Sequence, residues 1–75
     1  MRLIKVIVRI GTGQEMDVEI PAQISADRLI GALHEGLHLP GKKPSFIRVE
    51  NPVAMLCGST TVEEYELHQG SILYL

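Results

Sequence analysis

The sequence predicts an α+β domain of two layers, with a single helix laid across a single five-stranded mixed sheet. Three observations carry that expectation. Residues 25–39 repeat their apolar side chains at helical spacing. The segments on either side alternate apolar and polar residues, as half-buried strands do. At 75 residues the chain is long enough for one core, which the helix and strands must share.

In the helical stretch, Ile24, Leu29, Ile30, Leu33 and Leu37 form the apolar stripe. Ser25 reads as the N-cap, because its hydroxyl can accept from a free first-turn amide. Asp27 adds negative charge where the helix dipole is positive. Gly36, Pro40 and Gly41 end the element.

The strands follow from alternation. In residues 2–10, Ile4, Val6, Val8 and Ile10 point one way, and Lys5, Ile7 and Arg9 the other. Gly11-Thr12-Gly13-Gln14 reads as a turn, and residues 15–20 as the returning strand with Met16, Val18 and Ile20 inward. The register expected is Ile10 facing Met16, Val8 facing Val18 and Val6 facing Ile20. It sets Arg9 opposite Asp17 and Lys5 diagonal to Glu19, with about 0.2–1 kcal/mol for each such pair. The acidic row Glu15, Asp17 and Glu19 therefore reads as a charge-paired, solvated face rather than a cation site.

Beyond the helix, Pro40 to Pro44 forms a stiff connector. Residues 46–50 make a third strand, with Ile47 and Val49 inward. Asn51-Pro52 turns the chain into a fourth strand at 53–57, with Leu56 in the core. A single 3₁₀ turn is expected at 61–65, a further turn at His68-Gln69-Gly70, and a last strand at 71–75 with Leu73 and Leu75 inward. Placing the closing strand in the middle gives the order 2-1-5-3-4, with the first and fifth strands parallel and the second and fourth at the edges.

Composition narrows the function classes. A net charge of −2 and the lone pair Lys42-Lys43 give no basic patch for nucleic acid and no polybasic membrane anchor. Arg2, Lys5 and Arg9 break the apolar start, which lacks the features of a signal peptide. No run approaches the ~20 apolar residues of a membrane span, so direct membrane insertion is not expected. Cys57 is the single cysteine, which rules out an internal disulfide and fits a reducing, cytoplasmic setting.

The constellations that could carry chemistry are thin. His34 and His38 stand four apart, the spacing that can share one metal ion, but no third ligand is evident, and a solvated helix face is the plainer expectation. Cys57 and His68 lack a third orienting group. Gly11-Thr12-Gly13 precedes a strand rather than a helix, so it is not a phosphate loop. No catalytic residue, cofactor or metal is expected, and the chain does not read as an enzyme.

Residues 61–75, TVEEYELHQGSILYL, carry Thr61, Val62, Tyr65, Leu67, Ser71 and Leu73 in a pattern that resembles ubiquitin and its β-grasp relatives. That resemblance implies that the Tyr65 hydroxyl bonds back to the backbone near residues 57–59. A closer resemblance is to the small bacterial ubiquitin-like proteins YukD and EsaB. It rests on Asp17, Val18, Ile20, Pro21, Leu29 and Ile30, on Ile47-Arg48-Val49, and on Tyr65, Leu67, Gly70, Ile72, Leu73 and Leu75 at unbroken spacing. Ser71 departs from it by replacing an aspartate.

The resemblance implies a non-conjugated protein-interaction module, an accessory or regulatory component of a type VII (WXG100) secretion system. Its partner would be a membrane or ATPase component of that system. The module would be cytoplasmic or peripheral to a membrane complex, as a monomer or weak dimer. Conjugation and sulfur carriage both need a flexible tail ending in Gly-Gly, whereas Tyr74 and Leu75 fall on the expected last strand. Two alternatives stand beside this reading. One is a β-grasp sulfur carrier or modifier whose Gly-Gly tail has been removed; the other is the cytosolic ubiquitin-like domain of a larger membrane secretion component. Strand alignment places Ile7, Phe46, Arg48, Ile72 and Tyr74 on the outer sheet face as a candidate partner surface, rich in the residue types of interface hot spots. Scattered exposed apolar residues, which are ordinary, are the other reading of the same five. Arg48 stands where ubiquitin has its central isoleucine, so ubiquitin-binding modules are expected not to recognise this face.

Overall fold

In the computed structural model, which describes residues 1–11 and 13–75, the alternating start of the chain becomes an antiparallel hairpin. Its strands are β1 (Leu3–Ile10) and β2 (Gln14–Pro21). Val6 and Val8 are fully buried, while Lys5 and Arg9 face water. The faces match the expectation, but the register differs by two residues. Val8 lies opposite Met16, Val6 opposite Val18, and Ile4 opposite Ile20. The chain reverses sooner than expected: Gly11 takes the left-handed conformation at φ 61°, and Gln14 already pairs with Ile10. A slip of two keeps every side chain on its face, whereas a slip of one would have inverted both strands. Charge pairing changes accordingly, with Arg9 opposite Glu15 rather than Asp17 and Lys5 directly opposite Glu19. Thr12, part of the expected turn, lies outside the described residues.

The helix α1 runs Ala26–Gly36, shorter than residues 25–39. Ser25 caps it, accepting from the Arg28 amide at 3.3 Å. Asp27 sits in the first turn, and its carboxylate also accepts from the Gly58 amide at 3.0 Å, tying the helix start to a distant loop. The far end closes as a Schellman motif. The Leu39 amide donates to the His34 carbonyl at 3.0 Å and the His38 amide to the Glu35 carbonyl at 3.2 Å. His38 occupies the left-handed position at φ 53°, where a glycine is usual. Gly36 thus belongs to the last helical turn, and the chain leaves the helix one residue before His38.

Three short strands complete the sheet: β3 (Ile47–Glu50), β4 (Ala54–Leu56) and β5 (Ile72–Tyr74). The order is β2-β1-β5-β3-β4, with β1 and β5 parallel and β2 and β4 at the edges, as expected. Phe46, Val53, Cys57, Ser71 and Leu75, expected within strands, flank them instead. Around β5 the backbone bonds continue past the strand itself, from the Ile7 amide to the Ser71 carbonyl and from the Leu75 amide to the Arg9 carbonyl, each 2.8 Å. The turn into β4 holds a cis Asn51–Pro52 bond.

Residues 61–67 form hydrogen-bonded turns rather than the expected 3₁₀ turn. The Tyr65 amide reaches back four residues to the Thr61 carbonyl at 3.1 Å. A reciprocal capping box organises this piece. The Thr61 hydroxyl accepts from the Glu64 amide at 3.1 Å, while the Glu64 carboxylate accepts from the Thr61 amide at 3.0 Å. Glu66, left-handed at φ 64°, stops it from growing into a helix.

The core lies between α1 and the inner sheet face, where Leu29, Ile30 and Leu33 meet Val6, Val8, Val49, Leu56 and Leu73. Each large aliphatic side chain fully buried there contributes about 1.5–3 kcal/mol. Ser71 is a buried polar residue in the same layer, and it is satisfied. Its hydroxyl donates to the Asn51 carbonyl at 2.6 Å and accepts from the His68 amide at 3.0 Å.

Candidate protein-docking face

The outer face of the sheet is built from the side chains that alternation turns away from the helix. On the central strand β5 these are Ile72 and Tyr74. Ladder pairing sets Ile7 beside Ile72 from β1, and Arg48 beside Tyr74 from β3. Four of the five residues expected to form a partner surface are therefore contiguous. Phe46 precedes β3 and is half exposed. Because Arg48 already faces Tyr74, Phe46 belongs to the margin of the face rather than its centre.

Tyr74 organises the middle. The Arg48 guanidinium lies over its ring at 4.3 Å from the centroid, and Arg9 approaches at 5.8 Å. The phenol donates to the Glu50 carboxylate at 2.5 Å. That hydrogen bond, followed by desolvation, holds the phenol above its ordinary value, while the two guanidiniums pull the other way. Arg9 is bound in turn by the Glu15 carboxylate, which raises its own already high value. Arg48 is less engaged: its nearest carboxylate, Glu50, stands at 4.0 Å. The ring is thus held by groups on its two neighbouring strands, β1 and β3, and presents an aromatic surface flanked by a less engaged guanidinium.

Arg9, Met55 and Glu50, which accepts from the Tyr74 phenol, belong to this face and were not among the five. Arg9 joins because Tyr74 pairs with it directly. Met55, half exposed, joins because β4 sets it opposite Arg48. The signal for Met55 was present in the alternation, since an inward Leu56 requires an outward Met55. What single-strand alternation lacks is the lateral pairing that makes them neighbours.

The other constellations fall apart or change character. His34 and His38 do not share a helical face, because His38 lies beyond the helix in a left-handed conformation. His34 is not on a solvated face either: it is half-buried, and its Nε2 is buried without a hydrogen-bond partner. It stands in the last helical turn, where its carbonyl accepts from the Leu39 amide at 3.0 Å. The His68 ring bonds to the Gln69 carbonyl at 2.9 Å, and Cys57 instead meets Tyr65. The Tyr65 hydroxyl donates to the Cys57 carbonyl at 3.2 Å and accepts from the Cys57 amide at 3.3 Å, the loop contact that the resemblance implied. Among the described residues no three histidine, cysteine, aspartate or glutamate side chains converge as metal ligands. Among the same residues no helix is long and apolar enough to cross a membrane.

No family model and no curated protein matches the sequence. Solved structures do. A ubiquitin-like domain of an Arabidopsis thaliana protein superposes with a TM-score of 0.74 at 17% identity, covering 99% of this chain and 76% of that one. The ubiquitin-like domain of Plasmodium falciparum Dsk2 gives 0.70 at 20% identity, with 97% of each chain covered. Ubiquitin of Caldiarchaeum subterraneum gives 0.67 at 17% identity, covering 97% of this chain and 92% of that one. At such identities the likeness is one of fold, and the fold of this chain is that of a ubiquitin-like β-grasp domain.

Proposed function

We propose that this domain is a non-catalytic protein-docking module whose recognition face centres on Tyr74. We further propose that it serves a type VII (WXG100) secretion machinery as a YukD- or EsaB-like accessory component in the cytoplasm. The observation that carries the docking role is the arrangement at Tyr74. An aromatic ring is held rigidly by Arg48 and Glu50 beside exposed Met55 and the half-buried pair Ile7–Ile72. A preorganised aromatic with an adjacent arginine is what interface hot spots use, because little side-chain entropy is lost on binding. The secretion role is supported by the run of residues matching that family, from Asp17 to Leu75. The face also describes its partner. Lys5 and Arg9 have acidic neighbours in Glu19 and Glu15, which leaves Arg48 to meet a carboxylate beside an apolar contact.

A pull-down from cells carrying the intact secretion system tests the reading. Recovery of its membrane or ATPase component by the native domain, but not by Arg48→Glu or Tyr74→Ala, is the expected result. Recovery of neither component removes the secretion role. A thioacid or covalent adduct at the terminus of the native product would replace docking with sulfur carriage or conjugation.

A further inference from the structure

The sheet has two edges, and they are not equivalent. Pairing fixes which backbone groups point outward at each. The Ala22 amide donates to the Arg2 carbonyl at 2.9 Å, so the even-numbered residues of β2 spend their amides and carbonyls on β1. Glu15, Asp17 and Glu19, all exposed, turn theirs to the open side. Pro21, which has no N–H, ends that run.

The β4 edge is closed by comparison. The Ile7–Ser71 and Leu75–Arg9 bonds direct Leu73 toward β1, so Ile72 and Tyr74 bond to β3 and Ile47 and Val49 bond to β4. Met55 and Cys57 are left facing outward. Both outward groups of Cys57 are taken by the Tyr65 hydroxyl, and β4 is only three residues long. The eight-residue β2 is therefore the edge that can accept another strand.

The side chains along β2 describe that strand. On the outer face stand Glu15, Asp17 and Glu19. Among the described residues only Glu15 of these three is in an ion pair, with Arg9. The observed register sets Asp17 opposite Ile7, with no cation across from it. On the inner face Met16 and Val18 pack against the margin of the core and are only half-buried.

We infer that β2 binds an extended segment of a partner protein in which lysine or arginine alternates with an aliphatic residue. Laid antiparallel, the segment bonds to the free amides and carbonyls of Glu15, Asp17 and Glu19. Its basic side chains then fall opposite those three carboxylates on the outer face. Its aliphatic side chains fall on the inner face and cover Met16 and Val18. A second copy of this chain is a poor occupant. Paired antiparallel through the same groups, it would set Asp17 on Asp17 and Glu15 on Glu19, like charge on like charge. The inference does not rest on Tyr74 as a recognition site.

The test is a titration of the ¹⁵N-labelled full chain with a blocked peptide in which three lysines alternate with two valines. One control peptide carries glutamates for the lysines; another is N-methylated at the lysine amides, which removes the donors that would face β2. Binding should shift Glu15 to Glu19 and slow amide exchange at Glu15, Asp17 and Glu19, with little change at Met16 and Val18, whose amides already bond to β1. Asp17→Lys, at an exposed position, should keep the folded spectrum and weaken binding about tenfold. Equal binding of either control peptide overturns the inference, as does unchanged affinity in Asp17→Lys. So do shifts confined to Ile7 and Tyr74, or no shifts at millimolar peptide. Protection of the same three amides that grows with protein concentration in the absence of peptide would assign the edge to a second copy and overturn it too.

Discussion

The guanidinium of Arg48 lies 4.3 Å from the centre of the Tyr74 ring, directly across the β3–β5 ladder, while the phenol of that ring donates to Glu50 two residues along β3. One strand therefore grips both the face and the tip of a side chain on its neighbour. The phenol reports on this grip. Glu50→Gln should bring the Tyr74 titration down toward its ordinary 10.0, because the phenol loses its hydrogen bond to a carboxylate and, with it, the negative charge that opposes ionisation. Arg48→Ala should move it further up, because a favourable cation is lost. Ultraviolet titration of the phenols, with Tyr65→Phe to remove the other tyrosine, separates the two shifts.

Tyr65 should matter for the loop rather than for the core. Its hydroxyl bonds both backbone groups of Cys57, which is otherwise exposed. Tyr65→Phe should cost about 0.5–1.5 kcal/mol in urea unfolding, because water can replace part of what is lost. Hydrogen exchange should accelerate at the Cys57 amide before it does so in the core strands.

Gly31 sits in the interior of α1 without needing a glycine conformation. A methyl group there would meet only the flexible end of Lys43, at 3.4 Å. Gly31→Ala should therefore stabilise the domain by about 0.5–1 kcal/mol through helix propensity. Thermal unfolding would show a raised midpoint; a lowered one would mean that the Lys43 contact is not free to yield.

Glu64 links stability to acidity. Its bonds from the Thr61 amide and hydroxyl hold the carboxyl below its ordinary 4.5. A depressed folded value means a contribution fully present above 4.5 and lost as pH falls through the lowered value. Glu64→Gln should thus be less stable than the native chain at neutral pH. The two unfolding curves should draw together on acidification below that range.

Much of the architecture was legible because period-two alternation is a local signal that survives any register. Val6, Val8, Leu56 and Leu73 could be placed inward from their own segments alone, and all are buried. The register of the hairpin was not legible, because Gln14 can serve either as a turn residue or as a strand residue, and only pairing with Ile10 decides. The helix end was misplaced for a similar reason. A histidine in the left-handed position leaves no glycine signal, so the helix was carried on to Leu39, although Gly36 marks its last residue. His34 was read as solvated because the fold around the helix end, which buries its Nε2, leaves no signal in the local spacing. Of the docking face, the side-chain directions were legible and the neighbours were not. The partner of Ser71 was not legible either: its hydroxyl donates to the Asn51 carbonyl, which an ionised aspartate in the same place could not do.

The parallel pairing of β1 with β5 has a mechanical consequence. Tension applied at Leu3 and at Tyr74 in opposite directions runs along both strands, so their ladder is sheared rather than peeled. The bonds from Ile7 to Ser71 and from Leu75 to Arg9 would then share the load and yield together. Stretched in a force spectrometer, the domain should rupture in one abrupt event at high force. Drawn instead across the β3–β4 edge, it should open gradually like a zip.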